Sequence, residues 1–231
     1  MASARSGGAR RKRPQTASGR RRAEDRRLHR LLELEQAMWD QGLTLIAGVD
    51  EVGRGPLAGP VLAAAVVLPP NTPIRGVDDS KKLTAEKRAA LCEEIRAKAI
   101  AIGVAGASTR EIDRINILRA SHLAMRRALE RMRIIPDHVF VDGLPVPELG
   151  EHCTAVIDGD AKVHAIACAS IVAKVVRDRI MQLLATRYHG YGWDTNVGYA
   201  TAEHRGAIIE LGLTPHHRRS FEWNNQLTLE L

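Results

Sequence analysis

Four carboxylates in this chain stand where apolar segments end. Asp50 and Glu51 follow the run Ile46-Ala47-Gly48-Val49, and Asp142 follows Val139-Phe140-Val141. Asp160 lies just past Thr154–Ile157 and just before a long helical pattern. A carboxylate buried unpaired at such a place costs several kcal/mol. Several of them call for one shared compensation, and a divalent cation is the economical one. Hard ions take oxygen ligands, and Mg²⁺ keeps several waters and borrows oxygens from phosphates. A single strand-end acid more often caps the next helix or turn, the role expected of Asp158 before Gly159. The adjacent acid pair, the strand-end placement and the glycine-rich segment after them point instead to a metal site. One geometric condition applies. Neighbouring strand residues face opposite ways, so Asp50 and Glu51 reach one site only if the strand stops or bulges there; Gly48, Gly53 and Gly55 allow this.

The elements that must carry these acids follow from periodicity. Strands are expected at Leu43–Val49, Val61–Leu68, Ala99–Ala107, Val139–Val141 and Thr154–Ile157. Helices are expected at about Ala23–Gln41, from the Thr84 cap to Ala99, at Asn116–Met132, Val163–Thr186 and Ala202–Leu211. Gly42 should stop the first helix, and Pro69-Pro70 the second strand. Three strands able to pair antiparallel, then strands separated by helices, make one mixed α/β sheet with helices on its faces. No Gly-x-Gly-x-x-Gly or Walker A pattern occurs, so a nucleotide cofactor is not indicated.

Composition narrows the class. With 45% apolar and 26% charged residues in a chain of 231, a real core forms without staples, and collagen, long coiled coil and wholesale disorder are excluded. No apolar run approaches the ~20 residues that span a bilayer, and no secretory signal is expected. Three cysteines without Cys-x-x-Cys spacing argue against a disulfide framework or zinc site and for a cytoplasmic setting. The net charge of +7 suggests nucleic acid, but residues 1–30 alone carry +9, leaving −2 for the rest. Residues 1–22 are therefore expected to be a disordered basic tail adding salt-sensitive affinity, and residues 23–231 one domain.

At Asp50-Glu51-Val52-Gly53-Arg54-Gly55-Pro56-Leu57-Ala58-Gly59-Pro60 the chain strongly resembles ribonuclease HII, the bacterial type 2 ribonuclease H. The likeness continues in order through Asp79-Ser80-Lys81-Lys82-Leu83, Glu111-Ile112-Asp113 with Asn116-Ile117, and Val141-Asp142-Gly143. It runs on through Gly159-Asp160-Ala161-Lys162, Ala169–Val175 with Arg177-Asp178, Gly198–Thr201 and His217–Phe221. The resemblance implies a ribonuclease H-like mixed sheet flanked by helices, with a C-terminal helical segment. It implies hydrolysis of the RNA strand of RNA–DNA hybrids, and cutting 5′ of single ribonucleotides embedded in duplex DNA, with Mg²⁺ or Mn²⁺, to give 3′-hydroxyl and 5′-phosphate ends. The family's four metal-binding acids map onto Asp50, Glu51, Asp142 and Asp160, its Gly-Arg-Gly motif onto Gly53, Arg54 and Gly55, and its junction-sensing tyrosine onto Tyr199. A monomer is expected. The alternative is a catalytically silent nucleic-acid-binding module of the same fold, and retention of all four acids speaks against it.

RNA differs from DNA by the 2′-hydroxyl, and glycines let backbone approach it closely; a plain tight turn is the other reading of Gly53–Gly55. Arg54 is free to hold phosphate, and Tyr199 can stack on a sugar or base. Ser170, Lys174 and Arg177 share a helix face by i, i+4, i+7 spacing; Lys174 meets either a phosphate or solvent. Lys81 and Lys162 sit inside matching motifs and are candidates for backbone phosphates. Asn196-Val197 stand where the family usually has His-Lys, which puts a basic contact near the junction in doubt. Tyr188, Tyr191, Trp193, Tyr199, Phe221 and Trp223 cluster near the C-terminus, most of them for packing.

Overall fold

A computed structural model describes residues 17–222. The chain runs α1 (Ala17–Trp39), β1 (Ile46–Val52), β2 (Val61–Val67), α2 (Ala85–Lys98), β3 (Ala101–Ala107), α3 (Thr109–Arg131), β4 (His138–Asp142), β5 (Cys153–Val156), α4 (His164–Ala185), α5 (Trp193–Asn196) and α6 (Ala202–Leu211). The strands form one sheet in the order β3-β2-β1-β4-β5. β1, β2 and β3 pair antiparallel, while β4 lies parallel to both β1 and β5. The mixed α/β sheet read from the sequence is therefore the sheet observed.

Alternation along the strands sends side chains to two cores. Ala47, Val49, Ala63 and Ala65 meet Ile112, Ala124 and Met125 of α3 on one face. Ala64 and Val66 meet Leu31 of α1, Leu91 and Ile95 of α2 and Ala167–Ala173 of α4 on the other. A third cluster joins Leu57 and Ala58 to Met181, Tyr191, Trp193 and Ile208, fastening the C-terminal helices to the segment after β1.

Several expectations move. α1 begins at Ala17, so residues 17–22 are helical rather than tail; farther along the same helix Arg27 and Asp25 pair with Asp78 and Arg75. The expected tail before residue 17 lies outside the described residues. α3 starts seven residues before Asn116, on a Ser108 capping box with Glu111. Asn116 interrupts it at φ 67°, and its side chain accepts from the Arg119 amide, so it caps a second helical segment. Among the described residues no helix is long and apolar enough to cross a membrane.

Candidate active site

The carboxylates converge at the end of β4. β1 and β4 stay paired only as far as Val49↔Val141, whereas β1 runs on against β2 to Val52↔Leu62. No extra residue interrupts that β1–β2 register, so β1 neither stops nor bulges at the acid pair. The acid pair meets for another reason. Asp50 points toward α4 and the Ser170 hydroxyl, and Glu51 toward α3, where it joins Leu118 and Met125 in a side pocket. Among the described residues no strand separates the two faces beyond the end of β4, and both side chains enter one cavity of about 620 Å³. Asp142, on the last residue of β4, and Asp160, in the single turn Gly159–Ala161 ahead of α4, line it too.

Each acid is held differently. Asp50 is 6% exposed and accepts from the amide of Glu51 at 2.7 Å. Ser170 in turn lies 3.0 Å from Ser80 Oγ, tying α4 to the segment before α2. Asp142 Oδ1 accepts from the Gly159 amide at 2.6 Å, which draws the Asp160 turn against β4. Asp158 takes a left-handed conformation ahead of that turn, but its side chain makes no cap bond there; it serves the turn through its backbone carbonyl, which accepts from the Ala161 amide at 3.1 Å. Burial, then the charges of Glu51 and Asp142, push the Asp50 carboxyl well above its usual range. Burial also raises Glu51, against the pull of Arg54, and raises Asp160 with help from Asp79 and Asp142.

Cations line the same cavity. Arg54 is not free: it pairs with Glu51 at 3.3 Å, although half exposed. Lys174 is neither solvated nor alone; it bonds Asp178 at 2.7 Å and still lines the cavity, as does exposed Lys81. Arg88 of α2 is a lining residue that sequence reasoning missed, since an arginine in a helix reads as a solvated charge; it donates to the Ser80 carbonyl at 2.8 Å and faces Asp178. Gly53, Gly55 and Tyr199 complete the rim. Lys162 is not among the lining residues; its amine turns back to the carbonyl of Ile157 at 2.6 Å. Arg177 leaves the Ser170–Lys174 face for the interior, fully buried. Of the C-terminal aromatics, Tyr191 and Trp193 stack in the core at 5.2 Å, Tyr199 opens to the cavity, and Trp223 lies outside the described residues. His217 is buried against His204 and Thr214, a structural place. Asn196 is buried as well: its amide donates to Tyr191 O and its oxygen accepts from the Gly198 amide, so it shapes the turn that presents Tyr199.

The donor set suits a hard divalent ion: four carboxylates and no soft ligand on one polar cavity, three of them raised by burial and by neighbouring carboxylates. Among the described residues no three His, Cys, Asp or Glu side chains yet close around one point. Like charges repel, and Arg54 occupies Glu51.

The model of the family Ribonuclease HII matches residues 47–224. The chain belongs to the ribonuclease HII family. Ribonuclease HII of Cereibacter sphaeroides is 57% identical over 189 residues, 81% of this chain and 89% of that one. Ribonuclease HII of Thermosynechococcus vestitus is 56% identical over 190 residues, 81% and 88%. Among solved structures, ribonuclease H2 of Pyrococcus horikoshii matches with a TM-score of 0.67 at 27% identity, over 79% of this chain and 96% of that one. The RNase HII of Archaeoglobus fulgidus, solved with PCNA, matches at 0.65 and 28%, over 77% and 95%. Ribonuclease H activity, a phosphodiester hydrolysis, follows from family membership, and so does the ribonuclease H-like fold. The family acts on RNA–DNA hybrids.

Proposed function

We propose that this ribonuclease HII cuts the RNA strand of hybrids and also nicks duplex DNA 5′ of a single embedded ribonucleotide, leaving 3′-hydroxyl and 5′-phosphate ends. The observation that carries this reading is the convergence of Asp50, Glu51, Asp142 and Asp160 on one cavity whose rim is Gly53-Arg54-Gly55 and Tyr199. Those four carboxylates would hold two divalent ions, Mg²⁺ or Mn²⁺, which when bound offset the charge growing on the attacking and leaving oxygens.

The chain's own groups do the rest. Asp50, central and deepest of the acids, would help hold the ions that draw the scissile phosphate into the cavity. Glu51 exchanges its Arg54 partner for the metal site and frees that guanidinium for a phosphate. The backbone of Gly53–Gly55 approaches the sugar closely enough to sense a 2′-hydroxyl. Tyr199 stacks on the sugar or base beside it. Lys81 and Lys174 meet flanking phosphates, with Ser170 holding Asp50 from α4. Lys162, turned to Ile157, is left out of this surface.

A labelled DNA duplex with one ribonucleotide, given with Mg²⁺ or Mn²⁺, tests the reading. A nick on the 5′ side of the ribonucleotide supports it. Binding without cleavage would support the silent module, and cleavage restricted to longer hybrids would show a ribonuclease H that needs runs of ribonucleotides.

A further inference from the structure

Beneath the Gly-Arg-Gly loop lie two guanidinium groups that the loop is built upon. Arg177 of α4 and Arg218 of the C-terminal segment are 0% and 1% exposed. Among the described residues, every hydrogen bond these two side chains donate goes to a main-chain carbonyl. Arg177 gives Nε to Pro60 O at 3.1 Å, Nη1 to Val197 O at 3.0 Å and Nη2 to Ala58 O at 3.1 Å. Arg218 gives Nη1 to Arg54 O at 2.8 Å, Nη2 to Gly53 O, and both Nε and Nη2 to Gly59 O at 3.0 and 2.9 Å. Burial, joined by repulsion from Arg177, pulls the Arg218 guanidinium down to about 9, still charged at neutral pH.

Burying a charge is costly, and these two guanidinium groups offset that cost by satisfying main-chain carbonyls. What the pair achieves is geometric. The carbonyl and amide of one trans peptide unit point in opposite directions. Arg218 draws the carbonyls of Gly53 and Arg54 inward, so the amides of Arg54 and Gly55 in those same two peptide units point away from it. Arg54 and Gly55 line the cavity. Arg177, meanwhile, holds Val197, two residues before Tyr199, to the same segment that contains Ala58 and Pro60. Leu57 and Ala58 close the link by donating to the Gly198 carbonyl.

We propose that Arg218 and Arg177 are positioning residues for ribonucleotide selection: Arg218 turns the two peptide units of Gly53-Arg54-Gly55 so that their amides face the 2′-hydroxyl, and Arg177 fixes the distance from that loop to Tyr199. The inference rests on the function proposed above. Lysine keeps the charge and stem at either site, but a single ammonium cannot reach the spread of carbonyls that the planar fork spans.

The test compares Arg218→Lys and Arg177→Lys with the unaltered full chain. Affinity is measured for a DNA duplex with one ribonucleotide and for its all-deoxy twin, over a range of salt, beside cooperative melting. The expected result for Arg218→Lys is a melting protein whose ribo-over-deoxy preference falls roughly 10-fold or more, the loss of one or two oriented hydrogen bonds. Its salt slope stays unchanged, because Arg218 touches no phosphate. Arg177→Lys is expected to raise KM on the ribonucleotide duplex more than it lowers kcat. A folded Arg218→Lys with its preference within about twofold of the unaltered chain overturns the inference while leaving the function standing. Loss of cooperative melting in both variants assigns the pair to stability alone and also overturns it. No preference in the unaltered chain removes the functional reading itself.

Discussion

A methyl group on Gly48 would lie 2.0 Å from the carbonyl carbon of Ala165. β1 therefore rests directly on the backbone of α4, with no side chain between them. Two residues on, the same strand face carries Asp50 against Ser170 of that helix. The closeness of strand and helix is what brings the deepest acid to its hydroxyl partner.

Gly48→Ala should consequently injure both fold and site. The blocking atoms are backbone and cannot rotate aside. Overpacking of this kind costs about 1–3 kcal/mol, occasionally more. A lowered Tm is expected, with reduced cleavage by the fraction that remains folded. A Tm and rate equal to the unaltered chain would show that α4 yields freely.

Substitution of the acids should separate chemistry from folding. Asp142→Asn keeps an oxygen for the Gly159 amide, so normal melting with no detectable cleavage is expected. Asp50→Asn should go further and raise Tm at neutral pH without metal. The Asp50 carboxyl is raised in the folded state, so its ionisation costs stability once pH passes the unfolded value near 3.8. Measurable cleavage by either variant would remove that residue from the proposed set.

The pH profile of the reaction should depend on metal. Asp50, Glu51 and Asp160 all hold protons more tightly than ordinary carboxyls, and an ion must displace those protons to bind. Activity should rise with pH, and raising Mg²⁺ should move the rise to lower pH. A profile insensitive to metal concentration would contradict competition between proton and ion.

Away from the site, Glu35 should govern stability against pH. α4 has no capping side chain of its own. Buried Glu35 of α1 supplies one instead, accepting from the amide of His164 at 3.1 Å and from that of Ala165. Burial outweighs those bonds and raises its carboxyl to about 8. The folded value lies above the unfolded one, so its contribution is full below pH 4.5 and is lost as pH rises toward 8. The loss is on the order of a few kcal/mol. Glu35→Gln keeps an acceptor and should flatten this part of the stability curve; an unchanged slope between pH 5 and 8 in urea melts at matched pH would assign it to other groups.

Tyr199 should matter for binding more than for turnover. Its ring is exposed at the rim while its backbone is held by Asn196. Stacking contributes ~1–3 kcal/mol per base, so Tyr199→Ala should raise KM about 10-fold or more, and Tyr199→Phe should recover most of it. Equal kinetics for all three would place the nucleic acid elsewhere.

The sequence by itself determined the elements and the suspicion of a metal site. Apolar periodicity is local, so strands and helices were legible, α6 to its end residues. Asp50, Glu51 and Asp142 stood out because a charge directly beside an apolar run is anomalous wherever the chain goes; Asp160, beyond Asp158 and Gly159, stood out by its place ahead of a helix and by the family resemblance. The order β3-β2-β1-β4-β5 decided the rest. It ended the β1–β4 pairing at Val49↔Val141, just before the acid pair, which no neighbouring residue encodes, and so joined two opposite sheet faces without a bulge. It also buried Arg177 and Arg218, whose carbonyl partners lie up to 165 residues away. Arginine at the surface and arginine at the centre look alike in one dimension. Only the packing of distant segments sets which carbonyls surround the guanidinium and whether water can reach it.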